Sequence, residues 1–129
     1  MKNIQTEERE HANSLIEYLS MRGELKDSVT GLITSPRGIK KTFWSNGVEG
    51  LTHALKMETF VTKNIRGVIA ACEKGKNDYH LVDVLTGVYL EEQYKGQRNI
   101  AEKLSTLQKM MSEHNEMGEF LFDKTLFSF

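Results

Sequence analysis

The sequence of 129 residues predicts an all-α fold, a helical bundle with three long helices plus a short C-terminal helix, in one domain spanning residues 1–129. Two observations predict this fold. The chain contains a single proline, the residue that most often interrupts helices. Apolar residues also recur every three or four positions over three long stretches, which is the period of one helix face.

The first predicted helix covers residues 6–22. Glu7 and Glu8 lie in its first turns, where acidic side chains suit the helix dipole, and Gly23 follows its end. An irregular segment at 31–47 then contains two turn signals, SPRG and SNG. The first helix has an apolar face made of Ala12, Leu15, Ile16 and Leu19.

The second predicted helix, Gly47–Lys74, is followed by Gly75, where a C-capping glycine belongs. The third begins near Asp78, a good N-cap, and extends roughly 36 residues, or about 55 Å at 1.5 Å per residue. A short helix is predicted at 117–127. Three long helices and one short one leave an apolar stripe without an obvious partner, so the chain either oligomerises or lacks a helix.

Composition excludes several function classes. The net charge of −1 argues against a nucleic-acid-binding protein, and one cysteine excludes an internal disulfide framework and a cysteine-rich zinc site. The longest apolar run, VIAAC at 68–72, is far shorter than a membrane span, so no membrane partner is expected. The opening MKNIQTEEREHA lacks the apolar region of a signal peptide, which makes a cytoplasmic location the default expectation.

Polar side chains interrupt the apolar stripes of all three long helices. Glu58 stands on the stripe of the second helix and Gln93 on that of the third, while Glu8 and His11 share one face of the first helix. An unpaired buried carboxylate is costly, and a metal ion removes that cost by using carboxylate oxygens and an imidazole nitrogen as ligands. The Glu-x-x-His spacing is the known ligand arrangement of di-iron carboxylate bundles.

Each of these residues also has a simpler interpretation. A Glu-x-x-His sequence occurs by chance on many surface helices, and a single glutamate on an apolar stripe often reaches water at its edge. Gln93 alone indicates little. Only their joint occurrence on three helices favours a metal site.

Four motifs carry a resemblance to a known family. The stretch EEREHA at 7–12 resembles the second bundle helix of ferritin heavy-type subunits, and YHLVD at 79–83 and YLEEQ at 89–93 are similar to the fourth. GEFLFDKTL at 118–126 resembles the short fifth helix. The motifs occur in the family's order over nearly the whole chain, and their variants look closest to insect ferritin heavy-chain homologues.

The resemblance implies a ferritin-like bundle that stores iron in a twenty-four-subunit shell, oxidising Fe(II) with dioxygen at a di-iron centre. By motif, Glu8 and His11 match ligands of the irons, Glu58 matches the second-iron carboxylate, and Gln93 the glutamine beside it. The implied partners are Fe(II), Fe(III), dioxygen and other ferritin subunits. Further matches are the cavity residues Glu7 and Glu10 and the pore residue Asp83.

Departures from the family pattern set further expectations. Nothing here matches the family's first helix, which supplies another iron-binding glutamate, so we expect a shortened subunit that oxidises iron poorly alone. Asn13 replaces a common cavity glutamate, and Thr86 replaces a common pore glutamate. The alternative is a non-catalytic structural or interaction subunit, or an incomplete fragment. Similar insect proteins enter the secretory pathway, which is the alternative to the cytoplasm.

Overall fold

The computed structural model describes residues 4–23, 41–75 and 77–127, with side chains from Thr6 onward. Its helices are α1, Ile4–Met21; α2, Gly47–Lys74; α3, Tyr79–Val84; and α4, Glu91–Leu126, with a π-helical segment at Leu85–Leu90. The described residues contain no strand, which confirms the all-α prediction. The chain divides into two compact units, 1–40 and 41–129, and the single-domain interpretation stays a prediction.

The first unit contributes α1, an amphipathic helix. Its apolar side chains Leu15, Ile16 and Leu19 are half-buried, as the periodicity predicted. The helix ends where expected, with the Gly23 N–H donating to the Ser20 carbonyl at 3.0 Å and Gly23 at φ +68°. Glycine adopts this left-handed conformation without steric cost, which makes it a good helix terminator.

The second unit begins with a well-capped helix. The Asn46 side chain accepts a hydrogen bond from the Glu49 N–H at 2.9 Å, so α2 starts at Gly47 as predicted. The predicted irregular segment lies outside the described residues at 31–40, and 41–46 are non-helical. At the far end, Gly75 donates to the Ala71 carbonyl at 3.1 Å, although its φ of −91° is not left-handed.

A charged cluster surrounds the start of α2. The Glu49 carboxylate accepts hydrogen bonds from the Lys41 ammonium and from both the N–H and the hydroxyl of Ser45, the latter two at 2.8 Å. These bonds, the one from Lys41 above all, lower the pKa of Glu49 from 4.5 to about 2. The carboxylate therefore stays charged beside the positive end of the helix dipole.

The third predicted helix is present but is not uniform. Asp78 caps α3 by accepting from the Leu81 N–H at 3.2 Å, which confirms the predicted start. Helical backbone then continues through the π-helical segment into α4. The wider π turn was not predicted, and its residues Leu85 and Tyr89, four positions apart, are both buried.

Helices α2 and α4 pack antiparallel and enclose the core. Gly47, at the start of α2, lies beside Leu107 and Glu119 of α4, whereas Thr62, further along α2, contacts the earlier Gln97. The buried apolar side chains of the described residues are Ile69, Leu85, Tyr89, Leu107 and Phe122. No helix in the described part of the chain combines the length and apolar composition needed to span a bilayer.

The predicted short C-terminal helix occupies 116–126 and joins the longer part of α4 through one non-helical residue, Asn115, at φ 49° and ψ −131°. Beyond this kink Gly118 lies against the Met110 backbone, where a Cβ would overlap the Met110 carbonyl. The Glu119 carboxylate accepts a hydrogen bond from the Gly47 N–H at the start of α2. We call this region, residues Gly47, Leu107, Asn115, Gly118 and Glu119, the C-terminal corner.

Candidate metal centre

The Glu-x-x-His sequence of α1 places two candidate ligands side by side. The Nδ1 atom of His11 lies 3.9 Å from Oε2 of Glu8, with His11 half-buried and Glu8 exposed. Bonds of about 2.1 Å to a divalent metal allow two ligand atoms of one ion to lie up to about 4 Å apart. The geometry of this pair is therefore compatible with a shared ion.

Acidic side chains extend this face of α1. Glu7 and Glu10, the predicted cavity residues, are both exposed. At about 100° per residue, they and the Glu8–His11 pair lie on one contiguous arc of about 160° around the helix. Their carboxylates thus concentrate negative charge next to the candidate ligands, which attracts cations.

The other two candidates lie in the second unit. Glu58 stands in the middle of α2 and Gln93 is the third residue of α4, directly after the π-helical segment. Both side chains are half-buried, as expected for polar residues on apolar stripes. Helices α2 and α4 pack directly against each other, so the two residues belong to the same helix pair.

Two unpredicted residues connect these helices next to Glu58. The Thr62 hydroxyl donates to the Glu58 carbonyl at 2.9 Å and accepts a hydrogen bond from Nε2 of Gln97. The same Nε2 lies 3.5 Å from the Glu58 carbonyl oxygen. Thr62 is 6% exposed. We call Thr62, Gln97 and the Glu58 carbonyl the polar crossing. In the sequence, Thr62 follows the candidate Glu58 by four residues and Gln97 follows the candidate Gln93 by four residues, so both lie on the same helix faces as the candidates.

The predicted pore residue Asp83 is exposed on α3. The neighbouring Thr86 hydroxyl donates to the carbonyls of Val82 and Asp83, at 2.7 and 3.2 Å. Thr86 is therefore bonded to its own helix, and Asp83 supplies the anionic group on this turn.

Each of the two units holds two of the four candidates. Within residues 4–23, 41–75 and 77–127, no three His, Cys, Asp or Glu side chains are grouped so that they could hold a metal ion. The first unit holds the carboxylate–imidazole pair on α1, and the second unit holds Glu58 and Gln93 on the α2–α4 pair. One shared site for all four residues stays a prediction.

These features define an all-α helical-bundle protein whose helices carry carboxylate, imidazole and carboxamide side chains at half-buried or adjacent positions. A family model described as Ferritin-like domain matches residues 1–110. The ferritin heavy chains of Papilio xuthus and Trichoplusia ni are 62% and 59% identical over 123 residues. The chain belongs to the ferritin family.

The solved structures agree with this assignment. The crystal structure of Trichoplusia ni secreted ferritin superposes with a TM-score of 0.87 at 57% identity, covering 96% of this chain and 65% of that one. This match confirms the ferritin-like bundle and the resemblance to insect heavy chains. Each of the two heavy-chain matches covers 94% of this chain and 58% of the relative, so the chain spans about three-fifths of their length.

Proposed function

We propose that this chain is an iron-storage subunit of the ferroxidase type, with Fe(II) as its substrate. The observation that supports this most is its identity of 62% to a protein named ferritin heavy chain. The side-by-side Glu8 and His11 side chains add a local geometry suited to a divalent ion. In the proposed reaction each Fe(II) gives one electron to dioxygen, and the Fe(III) product is stored.

In this proposal each candidate side chain has a separate role. Glu8 and His11 bind Fe(II) through a carboxylate oxygen and the imidazole nitrogen, and Glu58 provides the carboxylate for a second iron. The Gln93 carboxamide lies beside that second position and binds through its oxygen or orients a water molecule. The carboxylates offset the positive charge of a two-iron centre, which favours Fe(III) over Fe(II) and so assists oxidation.

Storage and entry involve the remaining acidic residues. We assign Glu7 and Glu10 to the inner surface that receives Fe(III), and Asp83 to the pore through which Fe(II) enters. Other ferritin subunits are the proposed partners, in a hollow shell of twenty-four. Because Thr86 carries no charge, this pore attracts Fe(II) less strongly than one with two carboxylates per subunit.

The compartment that we favour is the secretory pathway rather than the cytoplasm. The support is the structural relative at 57% identity, which is a secreted ferritin. Fractionation of cells that make the complete gene product would test this assignment. Recovery from the medium or the secretory organelles supports it, whereas recovery from the cytosol contradicts it.

A second candidate function is a non-catalytic subunit that docks onto other ferritin subunits. The observation that favours it is an exposed apolar row along α2, made of Met57, Phe60, Val61 and Val68. Soluble monomers seldom expose large contiguous apolar patches, so such a row is typical of an interface. Assembly into a shell that oxidises no more iron than its partner subunits alone would support this function.

The experiment that tests the main proposal measures the mass of the purified chain in solution and counts bound iron on the same fractions. Fe(II) oxidation is followed by oxygen consumption in the unaltered chain, in Glu8→Ala, in His11→Ala and in Glu58→Gln. The exposed Glu17 of α1 serves for a control, Glu17→Gln. We expect iron-loaded assemblies in which the oxidation by the unaltered chain is slow, falls at least tenfold further in the three site variants and does not fall in the control. Oxidation that is unchanged in all three variants contradicts the proposal.

A further inference from the structure

The polar crossing joins the candidate site to the neighbouring helix by hydrogen bonds. Nε2 of Gln97 reaches the Thr62 hydroxyl and the Glu58 carbonyl, and the Thr62 hydroxyl donates to that same carbonyl. A carbonyl oxygen only accepts hydrogen bonds, which fixes the Gln97 carboxamide with its nitrogen toward α2. One N–H group of that nitrogen can then donate to the Thr62 hydroxyl and the other to the Glu58 carbonyl.

The bonds act on the backbone of a candidate ligand rather than on its carboxylate. In a regular helix the Glu58 carbonyl already accepts from the Thr62 N–H, and here it also receives the Thr62 hydroxyl and the Gln97 amide. Such back-bonding by threonine bends helices slightly. The backbone of α2 is therefore tied to α4 at the residue that carries the candidate carboxylate.

On the α4 side, the polar crossing lies one helical turn from Gln93, the second candidate ligand in this unit. Gln97 follows Gln93 by four residues, which places the two side chains on the same face of α4, about 6 Å apart along its axis. Apolar contacts alone tolerate small sliding of helices, whereas hydrogen bonds of fixed geometry do not. The tie thus holds Glu58 and Gln93 in one register.

We infer that Thr62 and Gln97 are a positioning pair that sets the register of Glu58 against Gln93 and so tunes metal binding at that half of the site. This inference rests on the proposed function, since it assumes that Glu58 binds the metal. Neither side chain of the pair needs to touch the metal. Hydrogen-bond partners of metal-ligating side chains typically contribute 10- to 100-fold to metal affinity, and we expect the lower value for a pair that acts through the backbone.

The test titrates the full chain with Co(II), a divalent ion that is not oxidised by dioxygen on its own. Calorimetry gives the Kd, and the visible absorption bands of Co(II) report on its coordination geometry. Thr62→Val and Gln97→Met remove the hydrogen bonds while keeping the side-chain shape. Thr62→Ser restores the hydroxyl.

The chain offers matched controls for both positions. Thr59 makes the same back-bond, to the Leu55 carbonyl at 2.8 Å, but is exposed, so Thr59→Val removes a hydroxyl outside the helix contact. Gln108 is exposed on α4, so Gln108→Met matches Gln97→Met. Circular dichroism on the same samples verifies the helical fold, and if one of the two single variants unfolds, the other decides the outcome.

We expect Thr62→Val and Gln97→Met each to raise the Co(II) Kd about tenfold and to change the absorption bands. The double variant should lose about as much as either single one, because both changes break the same tie. Thr62→Ser and the two controls should bind as the unaltered chain does. An unchanged Kd and spectrum in both single variants, while Glu58→Gln abolishes binding, overturns the inference alone. Co(II) binding that does not depend on Glu58 overturns the proposed site and the inference with it.

Discussion

The C-terminal corner and the polar crossing join the same two helices in opposite ways. At the corner, Gly47 and Gly118 allow backbone and side chains to approach so closely that a Cβ at Gly47 would lie 2.9 Å from Leu107. At the polar crossing, the contact instead depends on Thr62 and Gln97 hydrogen bonds. At the C-terminal corner, steric contact prevents the two helices from packing in other positions. At the polar crossing, the directional hydrogen bonds favour one relative position of the two helices.

This difference assigns different roles to the two ends of the helix pair. Close apolar packing contributes most to stability, whereas a satisfied buried hydrogen bond contributes only about 1 kcal/mol net. The crossing is thus an inefficient way to stabilise the pair, but a good way to fix a register beside Glu58. Stability and ligand positioning are therefore separated along α2.

The largest effect is expected at the centre of the corner, where Leu107 is 1% exposed. Leu107→Ala should lower the free energy of unfolding by about 3 kcal/mol, because a buried leucine leaves a cavity. Urea unfolding followed by the fluorescence of Trp44, the single tryptophan, measures it. Leu121→Ala, at a side chain 44% exposed in the same C-terminal helix, should lose clearly less. If both variants lost the same free energy of unfolding, the C-terminal corner would not be the more stabilising contact.

The next effect concerns the backbone contact at Gly118. Gly118→Ala should cost about 2 kcal/mol, because the added Cβ meets the Met110 carbonyl, which is backbone and moves only with the helix. The matched control is Gly67→Ala in α2, where the added carbon would lie in open space beside its own helix. Alanine there should gain about 0.5–1 kcal/mol by helix propensity. Thermal unfolding of both variants shows whether each substitution raises or lowers stability. A stabilising Gly118→Ala contradicts the close contact between Gly118 and the Met110 backbone.

A smaller loss of stability is expected at the polar crossing. Thr62→Val should cost about 1 kcal/mol, since it leaves the Gln97 amide without its hydroxyl partner in a buried contact. Adding Gln97→Met should recover part of that loss, because an apolar pair leaves no unpaired donor. The urea midpoints of the unaltered chain, the two single variants and the double variant form a double-mutant cycle that measures the interaction between the two side chains. Additive losses would show that the two side chains do not interact.

The smallest effect depends on pH and lies at the start of α2. Because the folded-state pKa of Glu49 is lowered from 4.5 to about 2, its contribution to stability is complete above pH 4.5. It is lost as the pH falls from 4.5 toward 2. Carbon NMR of the Glu49 carboxyl should show the low pKa, and Lys41→Met should move it back up. Titration of Glu49 near 4.5 in the unaltered chain contradicts the described hydrogen bonds.

The sequence predicted well those features that depend on local chemistry. The end of α2 was predicted from Gly75 and the start of α3 from Asp78, because caps act within a few residues. Glu58 and Gln93 were found because a polar residue on an apolar stripe breaks a regular period. Both are half-buried, as that pattern requires.

Features that depend on contacts between helices were not predicted. The tie between Thr62 and Gln97 joins residues 35 positions apart, so no local pattern contains it. A separate short C-terminal helix was predicted, but the kink at Asn115 that begins it contains neither proline nor glycine, and the close contact between Gly118 and the Met110 backbone was not predicted. The π-helical segment left a faint signal, since stripe positions Leu85, Tyr89 and Gln93 are spaced by four twice in succession.

That π-helical segment has a consequence for how the chain tolerates changes in length. A π turn holds about one residue more than an α turn, so Leu85–Leu90 contains one residue more than an α-helix of the same length along the axis would need. Removing one residue there, such as Gly87, beside which a Cβ would meet only open space, can convert the segment to regular α-helix. The downstream faces of α4 would then keep their orientation. The same deletion within 91–107 would rotate every following side chain by about 100° and move Leu107 out of the corner.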